Sequence, residues 1–189
     1  FVLHGVTGLA LVLLLVWKLR RVWKRVAERR RFTGSKLVGT APGLTYPVTM
    51  WMFDSPAPYA VNAWRLVVSG KVAHTLTLSA AELAQAPSHE VTATLDCTGG
   101  WYTEQVWRGI PVAWLLERAG MLPAAHAVSF VSATGYRWSV APAEAQTLLL
   151  ATHVGGAPLD HGHGAPLRLV APGRRGFQWV KWVNEIRVL

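Results

Sequence analysis

A single cysteine, Cys97, stands among 189 residues. One thiol excludes an internal disulfide, so the fold must rest on its hydrophobic core. It also leaves no Cys-x-x-Cys pair, which removes the usual basis for a structural zinc or iron–sulfur site. Charge is scarce too: 15% of residues are charged, with ten acidic side chains against nineteen Lys and Arg. That imbalance is local. Residues 18–36 hold nine Lys/Arg and one Glu, whereas residues 37–189 hold ten basic and nine acidic side chains. A nucleic-acid-binding domain spreads its positive charge over a folded face. Here the charge is confined to one segment, so no nucleic-acid partner is expected.

The first seventeen residues, FVLHGVTGLALVLLLVW, contain no charge at all. A bilayer-spanning helix takes roughly 20 apolar residues, and the basic cluster that follows reads as a membrane-flanking stretch. A transmembrane helix is therefore expected over residues 1–19. A signal peptide would carry its basic residues before the apolar run, not after it. Because the run is slightly short and begins at Phe1, it reads as the last span of a longer membrane region. His4 lies inside it and is a candidate axial ligand for a b-type haem, since intramembrane ionisable residues tend to be functional. The positive-inside rule on its own puts the remainder of the chain on the cytoplasmic side.

Residues 20–62 form a polybasic juxtamembrane segment and then a Pro-, Gly- and Thr-rich linker with no helical period. Residues 63–189 read as the globular domain. AWRLVVSG and VAHTLTL predict two strands around a Ser-Gly-Lys turn. Ser79 and Glu82, three apart, form a capping box that opens a short helix. HEVTATLDC alternates as a half-buried strand. Pro111 and Gly120 bracket a second helix. Further strands are expected in HAVSFVSA, YRWSVAP and the C-terminal stretch, with a short helix near residues 143–145. Many strands with a few short helices make a mixed α+β domain.

Two clusters carry chemistry. Cys97 ends its strand directly before Gly99 and Gly100, a turn that lets backbone approach a ligand closely. A thiolate there is a soft ligand for a transition metal, or a nucleophile if a base adjoins it. About 70 residues later, DHGHGAPLRLVAPGRRGFQWVKW gathers His161, His163, Arg168, Arg174, Arg175 and Lys181 among glycines. In a domain otherwise near neutrality, guanidinium forks and exposed turn amides suit a phosphate-like anion. A cofactor with a metal end and a phosphate end would use both clusters.

The segments TLDCTGGWYTEQVWRGIPVAWLLERAG and HGAPLRLVAPGRRGFQWVKWVNEI resemble the molybdopterin-binding domain shared by sulfite oxidase, plant nitrate reductase and the catalytic subunit of periplasmic methionine sulfoxide reductase. The resemblance runs from Trp64 to Leu189. It implies a mixed-sheet, sulfite-oxidase-like fold and a molybdenum-cofactor oxidoreductase acting by oxygen-atom transfer. It carries the molybdenum-ligating role to Cys97, and the pterin-phosphate contacts to His163, Arg168, Gly176 and Lys181, with Gly173 and Arg174 in the same turn. Tyr102 and Arg108 are candidates for lining a small-molecule substrate pocket, by proximity to Cys97 in sequence. Sulfite oxidases follow the cysteine with Ala-Gly-Asn-Arg-Arg, and the arginines help to hold an oxyanion. Thr98, Gly99, Gly100, Trp101 and Tyr102 stand there instead. Trp101 makes a C-x-x-x-W pattern nearer to the sulfoxide reductase. A membrane haem or quinone-linked donor is the expected electron partner, and the reductase relative is periplasmic. The competing expectations are a cofactor-free binding module on the same fold and a polybasic lipid-surface anchor carrying a structural domain.

Overall fold

Two β-sheets stack around an apolar core, with short helices closing their ends. The computed structural model describes residues 11–20, 34–50 and 56–189. Residues 11–20 are helical (α1), and their side chains are exposed. Among the described residues no helix is long and apolar enough to cross a membrane. The first half of the expected span, His4 with it, and most of the basic cluster lie outside the described residues.

The first sheet contains β1 (Lys36–Leu37), β4 (His89–Cys97), β5 (Trp101–Pro111), β8 (Leu149–Val154), β9 (Ala157–Pro158) and β10 (Arg168–Val170). β5 is its spine. It pairs antiparallel with β4 from Gly109 opposite His89 to Trp101 opposite Cys97, with β8 near its end, and parallel with β1 near its start. The second sheet runs β3 (Leu76–Ser79), β2 (Arg65–Gly70), β11 (Val183–Val188), β6 (Val128–Ser132) and β7 (Arg137–Val140). Among the described residues its only parallel pair is β2 with β11.

The helices obey the signals in the sequence. α2 (Ala80–Ala84) is capped by Ser79, whose backbone N–H donates to Glu82 Oε2 at 2.8 Å while Glu82 N–H donates back to Ser79 Oγ at 3.3 Å. α3 (Val112–Ala119) buries Val112, Leu115, Leu116 and Ala119 and stops at Gly120, which takes the left-handed conformation, φ 65°. Such a stop favours a residue without Cβ. Pro111 sits just before the first helical residue, ends β5 and leaves no orphan N–H to satisfy. α4 (Pro142–Ala145) starts on proline.

β5 itself does not announce a strand. In its middle, residues 103–107, the buried side chains are Thr103, Gln105 and Trp107, and Val106 faces out at 41% exposure. Geometry alternates, but polarity is inverted: two polar residues point in and an apolar one points out. The inversion has a cause. Gln105 Nε2 donates to Gly39 O at 2.8 Å and its Oε1 accepts from Gly43 N–H at 3.2 Å, while Thr103 Oγ1 donates to Gly39 O at 3.1 Å. These buried groups clamp the segment before β2 across the sheet, where it runs on as a strap over one end of the molecule. Tyr46, on that strap, is 4% exposed and packs against Trp101, Trp107 and His163.

Candidate cofactor site

The strap, the β4–β5 turn, the β6–β7 turn and the segment before β11 meet around a cavity of about 420 Å³. Cys97 lies on its wall, at the end of β4, with the sulfur almost closed to solvent. Gly99 N–H donates to Cys97 Sγ at 3.3 Å, so the glycine turn supplies the backbone donor nearest the thiol. Gly176 faces the same strand. A Cβ there would come within 3.0 Å of Asp96 O and 3.1 Å of Cys97 Cα. The absence of a side chain is what lets the Gly173–Gly176 turn close against the cysteine.

The anion cluster divides. His163, Arg168, Gly176 and Lys181 all line the cavity with Cys97. Arg174 turns away and forms a two-pronged ion pair with Glu144, both bonds 2.7 Å, on the surface. Gly173 has open space around it, and neither residue belongs to the cavity wall. Tyr102 and Arg108 also lie off the wall. Strand alternation puts them on the face of β5 opposite Trp101, Thr103, Gln105 and Trp107. Sequence neighbours of Cys97 are thus not its spatial neighbours. In their place the mouth is lined by Trp101, noted in the sequence for its C-x-x-x-W spacing, and by Met50, Tyr136 and Phe177, which the sequence did not single out. Tyr46 and Thr49 were equally hidden, since a linker without period gives no sign of which residues fold inward.

Arg168 decides what the cavity can hold. Its guanidinium is buried, with one hydrogen bond from Nη1 to His163 O at 2.8 Å and no partner for Nε. Among the described residues it has no carboxylate partner. Burial pushes its pKa down, opposed by the Tyr46 and Cys97 side chains. Tyr46 Oη is the other orphan on this wall. Burial holds that hydroxyl protonated, with its pKa raised to about 12. Two buried donors on residues of one cavity wall, without partners among the described residues, are costly unless a guest accepts from them. An anionic guest with several acceptor oxygens fits them.

Lys181 and His163 complete the donor set. Lys181 Nζ donates to Gly162 O at 2.6 Å and to Thr49 O at 2.8 Å. The next residue, Trp182, has φ 52° and is held by its indole N–H on His161 O at 2.8 Å. That unusual conformation for a side-chain-bearing residue fixes the direction of Lys181. His163 places Nδ1 2.7 Å from Asp160 Oδ1 and Nε2 3.0 Å from Tyr46 O. His161 instead donates to Pro56 O and lies outside the cavity wall.

Asp160 makes this clasp sensitive to acid. Burial pushes its carboxyl up, but hydrogen bonds from the His163 backbone and ring, with the nearby Lys181 charge, outweigh burial and hold its pKa below the usual range. A depressed carboxylate pKa stabilises the fold above the unfolded-state value near about pH 4, and that contribution is lost as pH falls through the folded-state value. Asp160→Asn is therefore expected to flatten the acid limb of a stability curve measured by urea unfolding at neutral and acid pH. Half-exposure of Asp160 keeps the effect small. Equal acid losses in both proteins would show that the clasp does not titrate.

A cavity built this way, with a thiol on one wall and a buried guanidinium on another, suits an anionic guest. The chain belongs to the family described as the oxidoreductase molybdopterin binding domain, which matches residues 54–189. It is 31% identical over 137 residues to the uncharacterized oxidoreductase YuiH of Bacillus subtilis, covering 71% of this chain and 69% of that one. It is 30% identical over 167 residues to the protein-methionine-sulfoxide reductase catalytic subunit MsrP of Gluconobacter oxydans, covering 78% of this chain and 52% of the relative. The sulfane dehydrogenase SoxCD from Paracoccus pantotrophus superposes with a TM-score of 0.67 at 25% identity, over 70% of this chain and 39% of that one. The chain thus spans about two thirds of YuiH and about half of the reductase. The expected α+β molybdopterin-domain fold and membership of an oxidoreductase enzyme family both hold.

Proposed function

We propose that this chain is the cofactor-binding part of a membrane-anchored oxidoreductase that moves an oxygen atom to or from a small neutral substrate at a Cys97-ligated molybdenum. The observation that carries the reading is the pairing, in one cavity, of the Cys97 thiol with the buried and partly unpaired Arg168 donor. When bound, the molybdenum cofactor supplies a two-electron centre for oxygen-atom transfer. Cys97 offers it one soft thiolate. Arg168, Lys181 and His163 offer donors to its phosphate end, and Gly176 leaves room for backbone to approach. Met50, Trp101, Tyr136 and Phe177 at the mouth exclude water and give an apolar flank to whatever enters. With no arginine in the five residues after Cys97, the mouth suits a neutral substrate better than an oxyanion. The uncharged residues 1–17 and the basic cluster behind them support a membrane anchor beside a haem- or quinone-linked donor.

The test is expression in a host that makes molybdopterin, followed by measurement of molybdenum and pterin per chain. Near one of each is expected, and Cys97→Ser should keep the fold and lose oxygen-atom transfer. A well-folded sample with neither overturns the reading. One observation favours a cofactor-free binding module instead: Lys181 Nζ already donates to a carbonyl of the strap, and His163 Nε2 lies 3.0 Å from another. A Cys97→Ser chain that behaves as the wild type in every assay would select that alternative.

A further inference from the structure

The strap brings one side chain to the thiol. Thr49 Oγ1 lies 3.6 Å from Cys97 Sγ and 3.3 Å from the indole nitrogen of Trp101. An indole N–H only donates, so Thr49 Oγ1 accepts from Trp101. The remaining lone pair and the hydroxyl proton are left for the sulfur. When Cys97 is a thiol, its S–H donates into Thr49 Oγ1. When the sulfur is a thiolate or a metal ligand, the hydroxyl rotates and donates to it. Gly99 N–H, at 3.3 Å, is the second donor on the same sulfur.

Thr49 is held at its carbonyl and at its hydroxyl, on a strap anchored just upstream. Lys181 Nζ donates to the Thr49 carbonyl at 2.8 Å and is itself tied to Gly162 O. Trp101 fixes the side chain. Three residues earlier, Tyr46 is wedged against Trp101, Trp107 and His163. Thr49 therefore joins the cationic part of the cavity to its sulfur: its backbone answers to Lys181 and its side chain to Cys97.

We propose that Thr49 is a positioning residue for Cys97, its hydroxyl fixing the direction of the sulfur and setting how much electron density the sulfur gives to a bound metal. The electronic part rests on the function proposed above; the positioning part does not. A hydrogen bond to a ligating sulfur withdraws density from it and makes the reduced metal easier to reach. An idle strap hydroxyl, wetted by solvent, would do neither.

Two variants separate these outcomes: Thr49→Val keeps the shape and removes the hydroxyl, and Thr49→Ser keeps the hydroxyl. The first measurement is the Raman S–H stretch of the cofactor-free full chain at about pH 6, where an ordinary thiol is protonated. With one cysteine in the sequence, the band has a single owner. Thr49→Val should shift it upward towards a free thiol, and Thr49→Ser should leave it near the wild-type position. The second is the midpoint potential of molybdenum in the loaded chain, expected to move negative in Thr49→Val and to return in Thr49→Ser. A Raman band or a potential unmoved by Thr49→Val overturns the proposal. A purified chain without molybdenum would instead sink the functional reading, with the Raman result still deciding the role of Thr49.

Discussion

Exchanging Arg168 for methionine is expected to empty the cofactor cavity while leaving the cofactor-free chain as stable as before, or more stable. The two halves have one cause. A buried guanidinium that has neither a carboxylate nor a partner for Nε among the described residues burdens the empty fold, and replacing a buried charge by an apolar side chain of similar length is often neutral or stabilising. Methionine can follow the path of the arginine stem, and the guanidinium already lies over the Trp107 ring at 5.8 Å, an apolar surface suited to a thioether. Toward a phosphate the same exchange removes one partner of a buried charged contact, a loss of about 3–5 kcal/mol or roughly two to four decades in affinity. Pterin retained through gel filtration should fall to background, while the melting temperature of the cofactor-free chain stays level or rises by about a few degrees. Full pterin retention in Arg168→Met would remove this residue from the cofactor's binding set.

The largest effect on stability is expected from Gly109→Ala. Gly109 sits where β5 shifts register against β8, and a Cβ there would overlap the Leu150 carbonyl oxygen and stand 2.5 Å from Ala151 Cα. Both obstacles are backbone atoms of a paired strand, so no side chain can swing aside. Relief requires the two central strands to part, and with them the buried Ile110, Leu150 and Ala151. A loss of roughly 3 kcal/mol or more is expected, at the high end for a single core change, with much of the chain insoluble. Urea unfolding within about 1 kcal/mol of the wild type would mean that β5 and β8 yield more readily than their packing implies.

How much of this was legible beforehand depended on whether polarity tracked geometry. The β4 strand, the α2 capping box and the Gly120 stop were readable because each is local: alternation, a three-residue spacing and a left-handed turn need no distant partner. β5 was not, because Thr103 and Gln105 are buried to hold residues 39–43, a need invisible within the strand itself. The site divided along the same line. Cys97, His163, Arg168, Gly176 and Lys181 carry chemical types suited to a metal and an anion, and the fold brings those five to one cavity. Arg174 has the same chemistry as Arg168 but a carboxylate within reach, and only the folded position of Glu144 decides between the two. Thr49 and Tyr46 carry no chemical mark at all; their place comes from the clamp made by Gln105.

The order of strands in the second sheet bears on how the protein is made. β11, the last described strand along the chain, lies in the middle of its sheet, between β2 and β6. Ser69 and Glu185, hydrogen-bonded across the β2–β11 pair, are 116 positions apart. While the ribosome is still adding those residues, β2 and β6 have emerged and wait with open edges, a state prone to mispairing and one that favours a holding chaperone. Such distant pairing also slows folding. The cavity wall at residues 176–182 arrives just ahead of β11, so cofactor insertion is expected only after translation has passed it. A nascent chain stalled before residue 176 should bind no pterin, however long it is given.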